Sequence, residues 1–121
     1  MGGTNVRVMM ATHGKLEHGP MRLLAHMAAV SLDPPGYQGY PPCIYWAGPE
    51  LQRLAMGYPN DTFDRMLREF RAALIAVGAI HRLRPYRNRR HPSWLVMTGE
   101  QPELSTAELW LAGNTDAWTR R

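Results

Sequence analysis

Apolar residues at positions 63, 67, 70, 74 and 77 hold one face of a helix for about four turns, and the chain then passes through Gly78 straight into an arginine-rich, strand-like run. That junction restricts the fold more than any other feature of the sequence. The 4-3-4-3 spacing of Phe63, Leu67, Phe70, Leu74 and Val77 predicts a long amphipathic helix with this stripe in the core. Gly78 suits the left-handed position that ends a helix. Residues 79–98 then read as a β-hairpin whose turn and flanks carry Arg82, Arg84, Arg87, Arg89 and Arg90, with His81, His91 and no carboxylate. Like charges crowded into one turn repel each other, and an acidic partner would relieve that cost. A phosphate backbone is the obvious candidate, with a merely solvated loop as the plain alternative.

The segments upstream are short and sharply punctuated. Residues 1–18 show no sustained period apart from Val6-Arg7-Val8-Met9-Met10, which predicts a flexible arm with one short strand. Pro20 suits a first helical position, and a helix over 20–32 would bury Leu24, Met27 and Ala28 with Leu23 or Val30. Gly and Pro clusters over 33–42 exclude regular structure, and 43–46 then reads as one strand. Pro49 opens a second helix, in which Leu51, Leu54 and Ala55 form the expected buried stripe and Gly57-Tyr58-Pro59 the end. Asn60 or Asp61 can cap the helix that follows, and Asp64 suits its first turn. Ser105-Thr106-Ala107-Glu108 has the form of a capping box, so a short C-terminal helix through Ala112 is expected, stopped by Gly113-Asn114. Trp110 and Leu111 on that helix need a covering surface, either the body of the domain or a second subunit.

At 121 residues and 45% hydrophobic content the chain is expected to form one domain with a modest core. Cys43 is the only cysteine, which excludes an intramolecular disulfide and a thiolate zinc cluster, and its apolar setting predicts a buried, inert thiol. The five histidines include no i,i+4 pair, so no metal site and no cofactor are expected. No nucleophile–base pair or phosphate-cradling glycine loop is present, which argues against an enzyme. No apolar run approaches the ~20 residues of a membrane span, and a cytoplasmic protein is expected. Residues 1–99 carry a balance of +6 and residues 100–121 one of −2, so the basic charge lies on the body.

A short helix, a Gly/Pro/Asn turn and a long helix with a polar N-terminal face make a helix-turn-helix unit. With a strand before it and a hairpin after it, the order resembles the winged helix-turn-helix fold. The spacing Thr62-Phe63-x-x-x-Leu67-x-x-Phe70 and the Ala76-Val77-Gly78-Ala79-Ile80 passage into the wing look like the bacterial versions. Gly19-Pro20-Met21-Arg22-Leu23-Leu24 and Ile44-Tyr45-Trp46 add a similarity to small helix-turn-helix proteins of actinobacterial phages and mobile elements, over residues 19–98. The resemblance implies an α+β fold of three helices and a small antiparallel sheet, followed by a 99–121 extension with its short helix. It also implies a regulator of transcription. Thr62, Arg65 and Arg68 would enter the major groove of double-stranded DNA, while Arg82, Arg84, Arg87, Arg89 and Arg90 would grip phosphates or reach the minor groove. Tyr86 among those arginines could pack on sugar or base. A homodimer with half-sites one helical turn apart fits such a fold. Asp61 and Asp64 oppose phosphate unless they cap the helix or read cytosine amino groups, and Asp64 could pair with Arg68 at i,i+4. The alternative is a winged-helix module that docks an acidic host or phage protein through the same charges.

Overall fold

The computed structural model describes residues 2–88 and 91–118. Its α-helices are α1 (Gly3–His13), α2 (His18–Val30), α3 (Pro49–Met56), α4 (Asp64–Ala76) and α5 (Leu104–Leu111). Strands β1 (Ile44–Tyr45), β2 (Ile80–Asn88) and β3 (His91–Val96) form an antiparallel sheet in the order β1-β3-β2, so the chain is α+β. Among the described residues no helix is long and apolar enough to cross a membrane.

Helix α2 follows its expected periodicity and buries Pro20, Leu23, Leu24, Met27 and Ala28, but it starts at His18, so Pro20 is its third residue and not its first, and it ends at Val30 instead of Leu32. It meets α4 closely at Gly19, where the Phe70 ring occupies the space that a Cβ would need. Leu67 and Leu74 of α4 are fully enclosed and Phe70 partly so, which bears out the middle of the predicted stripe. Its ends differ. Val77 is exposed beyond the last helical turn, and Phe63 stacks on Tyr58 at 4.6 Å instead of entering the core. Gly78 adopts φ 74°, and the Ala79 amide donates to the Leu74 carbonyl, so the chain leaves the helix by the left-handed turn and enters β2 at once.

In the hairpin, Ile80 faces Val96 and Leu83 faces Ser93, and the pairing shifts register between Leu83 and Asn88. Strand β3 is central, and Ser93, Trp94, Leu95 and Val96 are all buried, as expected of a strand covered on both faces.

Three elements depart from their sequence expectations. Where a flexible arm with a short strand is expected, α1 is a helix packed on α2, with Asn5 and Met9 buried four residues apart. It is held by distant polar partners: the Asn5 amide side chain donates to the Leu32 carbonyl (2.8 Å) and the Ser31 hydroxyl (3.2 Å), and its backbone N–H donates to Asp33 Oδ1 (2.9 Å). In α3 the expected stripe is turned outward, with Leu54 75% and Leu51 38% exposed, while Gln52 and Met56 are buried. The capping box does not form, because α5 starts at Leu104 with Glu103 as its N-cap and no side-chain cap. Glu108 instead accepts a hydrogen bond from the Arg84 backbone N–H at 2.7 Å, tying α5 to β2. Trp110 stacks on Trp46 (5.9 Å, 20°) and meets Tyr40 edge-on (5.5 Å), so the body of the domain covers α5.

Candidate nucleic-acid interface

Helix α3 ends at Gly57 in the left-handed conformation, where the Tyr58 N–H donates to the Arg53 carbonyl at 2.8 Å. Of the two expected caps, Asn60 serves: its Oδ1 accepts from the Thr62 N–H at 2.9 Å and sets a short 3₁₀ turn, Asp61–Phe63, ahead of α4. The stacked Tyr58 and Phe63 rings brace this turn, and the Tyr58 hydroxyl reaches Met66 Sδ at 3.2 Å.

Asp64 does not pair with Arg68. Arg53 of α3 takes both of its carboxylate oxygens, from Nε at 2.7 Å and from NH2 at 2.6 Å. This fork clips the two helices together and holds the Asp64 carboxyl below its usual range through the Arg53 hydrogen bond. Of the two carboxylates that oppose phosphate, Asp64 is thereby neutralised, while Asp61 stays exposed in the 3₁₀ turn.

The outer face of α4 and its lead-in presents Thr62, Arg65 and Arg68, all exposed. Arg65 makes an open i,i+4 pair with Glu69 at 3.5 Å, of the kind that contributes little. Arg68 is held by no ion pair among the described residues. Arg82 and Arg84 are exposed at alternate positions of β2, with Leu83 buried between them. Tyr86 and Arg87 belong to the same strand, and Arg89 and Arg90 lie outside the described residues.

Sequence reasoning missed Arg53, Gln52 and Arg71, which have no periodic or motif signal and emerge only when α3 and α4 pack. Arg71 NH1 donates to Gln52 Oε1 at 2.6 Å, Gln52 bonds the Tyr45 hydroxyl, and that hydroxyl lies 2.7 Å from His26 Nε2. Because arginine only donates, the Gln52 carbonyl faces Arg71 and its NH2 faces Tyr45, leaving the tyrosine proton for His26. Tyr45 donates along this chain when His26 is neutral, the form that burial of the imidazole favours. Burial lowers the His26 pKa and raises that of Tyr45, in keeping with this direction.

Cys43 is buried, with its thiol near Asn5 Oδ1 and Thr98 Oγ1 and its pKa pushed up to about 11 by burial, so it is an inert thiol at neutral pH. No protein-family model, curated protein or solved structure matches this chain.

Proposed function

We propose that this chain is a winged helix-turn-helix DNA-binding protein, with α3 and α4 as the helix-turn-helix unit and the β2–β3 hairpin as the wing. The observation that carries the reading is the exposed Thr62, Arg65 and Arg68 face of α4, where the Arg53 clip answers the charge of Asp64, followed directly by the arginine-bearing hairpin. In this reading α4 supplies base contacts in the major groove, and Arg82, Arg84, Arg87, Arg89 and Arg90 supply phosphate or minor-groove contacts, with Tyr86 packed beside them. The protein acts by binding and not by catalysis. Its biological setting, by resemblance, is the control of transcription on a phage or mobile element, with two copies on half-sites one turn apart.

The test is duplex binding across a range of salt concentrations, on random DNA and on the element's own intergenic DNA. Each phosphate contact contributes ~0.9 to the log–log salt slope, so replacing Arg87, Arg89 and Arg90 by Ala should lower the slope by roughly two to three per wing. An unchanged slope in a folded variant removes the wing from the interface. A second reading, a module that docks an acidic host or phage protein, draws on the same exposed cations, Arg82 and Arg84 of β2 among them. Duplex binding that is absent at low salt favours it.

A further inference from the structure

Arg71 is the one cation of α4 that turns inward, and its surroundings are not those of a settled structural arginine. Its hydrogen-bond partner is the neutral carbonyl of Gln52, and no ion pair holds it among the described residues. The carboxylate of Asp64 is already taken on both oxygens by Arg53, and Arg68, one turn away, adds further positive charge. A guanidinium partly drawn out of water, bonded to a neutral acceptor and helped by Asp64 only without direct contact, is compensated in part. Its lowered pKa, caused first by burial, is the same imbalance seen from the proton's side.

Beside Arg71 lies a cavity of about 50 Å³ lined by Ala47, Pro49, Gln52, Arg71, Pro92 and Trp94. One water needs ~10–15 Å³ of such space, so the cavity has room for several oxygens but not for an organic ligand. Gln52 cannot turn its amide toward a guest without breaking its bonds to Arg71 and Tyr45, which leaves the guanidinium as the charged group facing the space. Pro49 opens α3 at the rim, so the favourable end of that helix dipole borders the same volume. We propose that this cavity, between α3, α4 and strand β3, seats one tetrahedral oxyanion of the phosphate class, held by the planar fork of Arg71. The oxyanion is either free phosphate or a phosphodiester of the duplex backbone. The second source rests on the DNA-binding reading above.

The experiment has two arms, both on the full chain. In the first, inorganic phosphate is titrated against chloride at matched ionic strength, and the Trp94 indole resonance and the melting midpoint are followed. A phosphate-specific movement of Trp94 and a rise in midpoint are expected, and Arg71→Gln should abolish both. In the second, the salt slope of duplex binding is compared between the wild type and Arg71→Gln. A loss of about one unit assigns the seat to a backbone phosphate, since each contact contributes ~0.9. An unchanged slope with an intact phosphate response assigns it to free phosphate. Where Arg71→Gln does not fold, Arg71→Lys keeps the charge without the fork and should lose most of the response in both arms. The proposal is overturned when phosphate leaves Trp94 unmoved and the Arg71 variant keeps the wild-type slope. If duplex binds in that case, the DNA-binding reading stands alone, whereas a phosphate response without any duplex binding keeps the seat and removes that reading.

Discussion

At the scale of single residues, Asp64 has its role set by a neighbour that local sequence does not reveal. Asp64 is held by Arg53, and the Arg65–Glu69 pair is open to solvent, so neither acid keeps an arginine of α4 away from a groove. If Arg65 or Arg68 makes a bidentate contact to guanine, its replacement by Ala should cost about 1–3 kcal/mol on a cognate site and leave binding to random duplex nearly unchanged. Equal losses on both substrates, measured by anisotropy at one salt concentration, remove the recognition role from α4. His26 gives a pH prediction. Its folded pKa lies below its ordinary 6.5, so the unfolded chain takes up protons first as pH falls, and stability drops from about 6.5 downward. The melting midpoint should therefore fall between pH 7.5 and 5.5. His26→Gln, which cannot be protonated, should flatten that fall.

At the scale of elements, α3 and α4 show how differently an apolar side chain counts according to the way its helix is turned. Leu74 is fully enclosed, and Leu74→Ala should cost about 2–5 kcal/mol through lost burial and a residual cavity. Leu54, in the stripe that the sequence predicts to be buried, is 75% exposed, and Leu54→Gln should change stability by no more than ~0.5 kcal/mol. Denaturant midpoints of the two variants check both values together. A large loss for Leu54→Gln would restore the sequence-based face of α3 and break the Gln52–Arg71 bond on which the proposed phosphate seat depends. The rotation follows from satisfaction of polar groups: burying Gln52 answers Arg71 and Tyr45 at once, which two leucines facing inward could not do.

For the whole molecule, the elements outside the central helices and hairpin complete the core instead of hanging from it. Helix α1 places Met9 against α2, and α5 carries Trp110 onto Trp46 and Tyr40, so residues expected to form an arm and an extension both contribute buried surface. Glu108 of α5 meets the backbone of β2 at Arg84, and the acidic C-terminal part of the chain therefore braces the basic hairpin at the middle of its first strand.

Features with local causes are legible in the sequence: the period of α2 and α4, the proline that begins α3, the left-handed exit at Gly78, the strand at Ile44–Tyr45 and the hairpin after it. Side-chain period and backbone preference act over a few residues, so a single chain displays them openly. The arginine content of the hairpin and the polar lead-in at Thr62 were equally open to view. Only the tertiary structure decided the partner of Asp64 eleven residues away, the Gln52–Arg71 bond across nineteen, the Glu108–Arg84 tie across twenty-four and the anchoring of Asn5 across twenty-six and twenty-seven. Each is a polar group finding its one satisfactory partner after the helices have packed, and such a choice depends on distance in space, which spacing along the chain does not encode.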